Sequence, residues 1–343
     1  MHTPRRRTST ACLALAAAAA LLGSGTAAAD ASSVRATDPV ATVFYPNPVQ
    51  SLGDESLTDD KDRDSAALAA AYRSVTLTDL DGSGTLTGRY VRVKSETGKA
   101  VNGSYDFRRD TDQFEQVMGY YWVTTAQHYL QSLGFGSRLR PVNQRQIELR
   151  INQYGGDNSF FRDDKANITL GKGGVDDAED AEVIVHEYGH SVQDGQVSGF
   201  GTTLESGAIG EAFGDYLAVA VTSWKTGTPT GTPEACVADW DSVAYTSAVP
   251  HCLRRLDGTK HYPEDMAGEV HADGEIWSAA LYAIRAELGD RLAGTIIVDA
   301  QFDFAPDTTF KAAAQATVAS ARRHGGTDAA AAVTAAFTAR GLL

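Results

Sequence analysis

Two hydrophobic periods divide this chain. Residues 74–78 (Ser-Val-Thr-Leu-Thr) and 88–93 (Gly-Arg-Tyr-Val-Arg-Val) alternate apolar with polar, the two-residue period of a half-buried strand. Between them, residues 79–84 read Asp-Leu-Asp-Gly-Ser-Gly, a turn signal, so the segment is expected to be a hairpin. The same residues mimic the start of a calcium-binding loop. Its twelfth position is Tyr90 where a bidentate Glu is needed, so the hairpin reading is kept. Residues 146–151 and 168–170 read as further strands. Residues 111–133 form a helix with aromatic side chains inward, His128 among them as a packing residue. From residue 181 onward the pattern is mainly helical. Helices are expected through 186–190, from the polar start at 205 through 221, over 274–288, and in alanine-rich stretches near 307–323 and 327–339. The Gly, Pro and Thr of 226–233 make a loop. The class is therefore α+β, in two lobes: a mixed, β-rich one over 30–180 and a mainly helical one over 181–343.

One stretch of the first helix after residue 180 carries chemistry. His186-Glu187-Tyr188-Gly189-His190 reads H-E-x-x-H. On a helix, residues four apart share a face, so both imidazoles can point a nitrogen at one ion. Glu187, turned about 100° around the axis, can reach a water without ligating the metal. Two His and a general base on one helix is the layout of a zinc peptidase. The acidic run Asp176-Asp177-Ala178-Glu179-Asp180 supplies an N-cap and first-turn charges, calcium binding being its second reading. Val183, Ile184 and Val185 give the helix an apolar side, and Gly195 is a plausible stop. A catalytic zinc needs a third protein ligand. Glu211 and Asp215 lie four apart on the next helical segment; one can ligate and the other can accept the second N–H of a ligating His.

H-E-x-x-H, with Glu211 about twenty residues on in the run Glu205-Ser206-Gly207-Ala208-Ile209-Gly210-Glu211-Ala212-Phe213-Gly214-Asp215, resembles the thermolysin-like peptidases. Residues 270–281 (Val-His-Ala-Asp-Gly-Glu-Ile-Trp-Ser-Ala-Ala-Leu) extend the resemblance, with Gly274-Glu275-Ile276-Trp277 closer to fungalysin. The resemblance implies a two-lobed zincin fold with the active-site helix between the lobes. It implies one catalytic Zn²⁺ on His186, His190 and Glu211, Glu187 as general base, and Asp215 as partner of the first His. It also implies His271 as the donor to the developing oxyanion, oriented by Asp265. Asn158, in Asn158-Ser159-Phe160-Phe161, resembles the family's substrate-binding edge strand. Arg254 resembles its substrate-holding Arg, with Arg255 an equal candidate on charge. Cleavage before apolar residues is expected from the resemblance alone. One position departs: Thr202 stands where thermolysin has a tyrosine that pairs with the oxyanion histidine. Residues 30–110, which separate the leader from the matching region, are also too few for the large inhibitory propeptide usual in such enzymes.

The remaining features concern location. Arg5, Arg6 and Arg7, the apolar stretch 11–22 and Ala27-Ala28-Ala29 read as a secretion signal over 1–29. Of three cysteines, Cys12 leaves with it. Cys236 and Cys252 remain as an even pair in an oxidising compartment, hence a disulfide. The net charge of −14 becomes more negative without the leader, which argues against nucleic-acid or anionic-membrane partners. The expectation is a secreted, monomeric zinc endopeptidase acting on peptide or protein substrates. The alternative is a zinc-binding pseudoenzyme or a non-peptide amide hydrolase.

Overall fold

The structure is a computed structural model that describes residues 38–95 and 98–343. The leader expected over 1–29 lies outside these. Strands dominate the first half and helices the second, as expected of the α+β class. Strand β1 (Val40–Phe44) is followed by a short helix α1 (Pro48–Leu52), then β2 (Tyr72–Thr76), β3 (Val91–Ser95) and the long α2 (Asp112–Leu133). Next come β4 (Ile147–Tyr154), β5 (Phe160–Arg162) and β6 (Asn167–Gly171). Helices α3 (Ala181–Gln196) and α4 (Leu204–Thr226) follow. A small β7 (Cys236–Val237) and β8 (Arg254–Arg255) pair precedes α5 (Val270–Leu288), α6 (Asp290–Ala300) and α7 (Phe310–Thr338).

The main sheet runs β3-β4-β6-β5. The first three strands are parallel and β5 is antiparallel at the edge. Every residue of β6 is buried, Asn167 and Thr169 included, although Ile168 and Leu170 alternate with them along the strand. Helix α2 starts at Thr111 and stops at Gly134, whose φ of 111° ends the helix. It is buried along most of its length, Phe114, Trp122 and Leu130 included. In the same hydrophobic core, Trp277 of α5 stacks on Phe310 of α7 and packs against Phe337.

Three expectations change. The hairpin around residues 79–84 is a turn whose flanking strands part: β2 pairs antiparallel with β1, and β3 pairs parallel with β4. Only an isolated Leu80–Gly88 bridge closes it locally. Val43 and Phe44 of β1, fully buried, offer β2 a better partner than the local chain does. His128 is more than packing: its Nε2 lies 2.8 Å from Asp79 Oδ2, beside the Tyr90 ring. The two alanine-rich helices are found as expected, parted within α7 where Gly326 takes φ 73°. Helix α6, not foreseen, buries Ala293, Ile296 and Ile297 after the break at Gly289.

Cys236 and Cys252 form the expected disulfide, their Cα atoms 5.1 Å apart. It ties the β7–β8 corner, which carries Arg254. Opening it is expected to cost about 3 kcal/mol, from the loop entropy returned to the unfolded chain. Urea unfolding with and without reductant measures this; coincident midpoints would refute it. Among the described residues no helix is long and apolar enough to cross a membrane.

Candidate metal centre

Helix α3 begins at Asp180, whose carboxylate accepts from the Glu182 backbone N–H. The acidic run before it does more than cap. Glu179 accepts from Arg109 and Trp240. Asp180 also accepts from Asn47 and from the Trp240 and Asp241 backbone, and Glu182 from Gln50, Thr222 and the Ala238 backbone. Protein donors thus occupy the carboxylates of Glu179, Asp180 and Glu182.

Four residues on, the same helix presents His186 and His190. Their Nε2 atoms are 3.2 Å apart. Glu211 of α4 reaches both, Oε2 at 3.2 Å from His186 Nε2 and Oε1 at 3.6 Å from His190 Nε2. Three donors about 2.0–2.2 Å from a tetrahedral ion would be about 3.3–3.6 Å apart. The two imidazole nitrogens and the two Glu211 oxygens therefore stand close to the spacing a zinc ion demands, and their N, N, O chemistry suits it.

Glycine makes this approach of α3 to α4 feasible. A Cβ on Gly214 would lie 2.6 Å from His186 Nδ1, and one on Gly189 would meet Gly214 Cα at 3.0 Å. Below the centre, His186 Nδ1 donates to Asp215 Oδ1 at 2.8 Å. This leaves Nε2 with its lone pair toward the ion position. Asp215 in turn receives Arg254 Nε and Nη2, both at 2.7 Å. Burial works against its charge, but the Arg254 pair prevails and holds its pKa down to about 2. The sequence assigned Arg254 to substrate alone; here two of its nitrogens hold Asp215. Arg255 instead pairs with Asp257, away from the centre.

Glu187 is 6% exposed, and its Oε2 has no hydrogen-bond partner among the described residues. Burial, with repulsion from Glu211 and Asp177, pushes its pKa up to about 7. A carboxylate so placed accepts a proton readily near neutrality. His271, in the first turn of α5, puts Nε2 at 3.2 Å from Glu211 Oε2. Its other nitrogen lies 2.6 Å from Glu269, the cap of that helix. Asp265, expected to orient His271, is engaged elsewhere and accepts from the His261 backbone N–H. Helix capping brings Glu269 closer, since its carboxylate must already turn toward the His271 and Ala272 amides. A Glu just ahead of the helix was the sequence signal.

The centre lies in a cleft of about 450 Å³ lined by Asn158 and strand β5 on one side and by Phe200, Arg254 and His271 on others. Thr202 is exposed and bonds Pro306, while Phe200 stacks on Phe304. The one tyrosine lining this cleft, Tyr245, gives its hydroxyl to Asp157. No described tyrosine lining the cleft replaces the one missing at Thr202. Sequence reading also missed the acidic end of the cleft, where Asp157, Asp177 and Asp241 bring one oxygen each within 4.8 Å of the others.

Residues 198–342 match the thermolysin metallopeptidase alpha-helical domain. The chain is 27% identical to extracellular metalloproteinase mep of Aspergillus niger, over 34% of this chain and 19% of that protein. It is 30% identical to extracellular metalloproteinase 4 of Trichophyton rubrum, over 33% of this chain and 18% of that one. The chain thus spans about a fifth of the length of these curated relatives. Its fold matches the precursor of protealysin, a metalloproteinase from Serratia proteamaculans. The TM-score is 0.59 at 16% identity, over 77% of this chain and 92% of that one. Together these likenesses support a thermolysin/fungalysin-like metallopeptidase, with residues 198–342 matching that family's helical domain.

Proposed function

We propose that this chain is a secreted zinc endopeptidase. The observation that carries the reading is the near-tetrahedral spacing of His186, His190 and Glu211 beside the unpartnered carboxylate of Glu187. Zinc, when bound, supplies Lewis-acid polarisation of a carbonyl and an acidified water. Glu187 takes a proton from the attacking water and delivers it to the leaving amine. His271 donates Nε2–H to the developing oxyanion, held by Glu269 on its far nitrogen. Asp215 keeps His186 in the ligating tautomer, and Arg254 keeps Asp215 ionised. The Nη1 of Arg254, outside that pair, is the group left for a substrate carbonyl. Edge strand β5 supports binding of an extended peptide as an added strand, with Asn158 two residues before it. The extracellular relatives and the sequence of residues 1–29 support secretion. A monomer acting without nucleic-acid or membrane partners completes the reading.

Casein digested by the purified protein should give internal cuts, mapped by mass spectrometry. They should stop with a zinc chelator and return with added Zn²⁺. Intact casein with folded, zinc-loaded protein would overturn the proposal and leave the pseudoenzyme or non-peptide reading. A finer prediction separates the two candidate partners of His271. Glu269→Gln should lower kcat about tenfold, the lower end of what second-layer changes cost at such sites. Asp265→Asn should change it less than about twofold, since Asp265 touches no group used here. A larger effect from Asp265→Asn would restore the sequence assignment.

A further inference from the structure

The cleft does not end at Glu187. It continues into a pocket walled by Val183, Val237, Leu253 and Tyr245, with Asp177 and Asp241 facing it. Asp177 is 2% and Asp241 3% exposed. Asp177 Oδ1 and Asp241 Oδ1 are buried with no hydrogen-bond partner among the described residues. Two buried carboxylates with Asp157 close by are costly unless a cation joins them. Burial first, then repulsion from neighbouring carboxylates, pushes Asp177 up to about 6 and Asp241 well above the ordinary range. The cation lining the same cleft, Arg254, is held in a two-pronged pair by Asp215.

We propose that this pocket receives the side chain on the leaving-amine side of the scissile bond and selects lysine or arginine. The inference rests on the peptidase reading above. The side of the bond follows from Glu187, which must reach the leaving nitrogen; Val183, one turn earlier on the same face of α3, lines this pocket. His271 and Glu269, which serve the oxyanion, are grouped instead at Glu211. The aliphatic walls fit the methylene stem of a basic residue and the two carboxylates its head. A bound divalent ion fits less well. Calcium wants six to eight oxygens. Here Ser159 occupies the other oxygen of Asp177, and Tyr245 occupies Oδ1 of Asp157. An ammonium offers three donors and needs only about three acceptors. The preference for apolar residues implied by the family resemblance is thereby replaced in this chain.

The test is a peptide series differing only at the residue after the scissile bond: Lys, Arg, Leu, Phe or Glu. In wild type, kcat/KM for Lys and Arg should exceed that for Leu by about tenfold or more, the worth of one charged hydrogen bond. The Lys-to-Leu ratio should fall by about tenfold in Asp241→Asn and in Asp177→Asn, with zinc content and unfolding temperature as folding controls. A preference for Leu or Phe in wild type, or a ratio unchanged in both variants, overturns the proposal. If no peptide is cut, the peptidase reading fails, and the same peptides are measured by fluorescence anisotropy on the zinc-loaded protein. Tighter binding of the Lys peptide, lost in Asp241→Asn, still upholds charge selection; equal binding overturns it. One Ca²⁺ bound in wild type and lost in Asp241→Asn also overturns it, because the ion would fill the seat.

Discussion

Glu187→Gln is expected to retain zinc at full stoichiometry and to lose turnover by roughly 10²–10⁴-fold. The change keeps volume and removes only the ability to accept a proton. Glu187 is not among the converging groups: these atoms belong to His186, His190 and Glu211. Its own Oε2 is buried and unpartnered, so no structural hydrogen bond is lost with the charge. The fold should hold or gain slightly, because a buried carboxylate pushed up to about 7 is costly to keep ionised. Metal analysis, thermal unfolding and casein cleavage on one preparation check all three points. Loss of zinc in this variant would mean that Glu187 is a ligand and that the assignment of base and ligand is wrong.

His190→Ala should abolish both zinc binding and turnover. Two ligands remain, His186 and Glu211, and the vacated side of the tetrahedron opens to water. Changes one layer further out already weaken such sites 10–100-fold, so loss of a direct ligand should exceed about 100-fold in affinity. Fold stability without metal should change far less, since His190 is partly exposed and Asp215 anchors His186, not His190. Competition with a chromogenic chelator gives the affinity directly. Full zinc occupancy in His190→Ala would falsify the ligand set and point to His271, whose Nε2 lies 3.2 Å from Glu211 Oε2.

The two variants bear on the same question from opposite sides, and their contrast shows which layer of the site can be read along the chain. His186, Glu187 and His190 lie within one turn of one helix, so the 3.6-residue period places them without knowledge of any other segment. Glu211 and Asp215 follow by the same rule on their own helix, and the resemblance of 205–215 ordered their roles. The partner of His271 did not follow. Asp265 and Glu269 are both acidic and both near in sequence; capping geometry, not spacing, turned Glu269 toward the ring. Arg254 could be named but not its contact with Asp215, because that pair joins residues 39 apart. Strand β2 was visible as an alternation, whereas its choice of β1 over β3 was a competition between distant apolar surfaces.

Periodicity and local spacing along this chain thus specify the α+β order of elements, the helix that carries His186, Glu187 and His190, and the cysteine pair, because each depends on residues close together or on composition. Folding in three dimensions settles which strands pair, which carboxylate orients His271, and how Asp157, Asp177 and Asp241 come to face one another across 84 positions of sequence. Charge, burial and hydrogen-bond supply are properties of the neighbourhood, and the neighbourhood exists only once the helices and the sheet have packed.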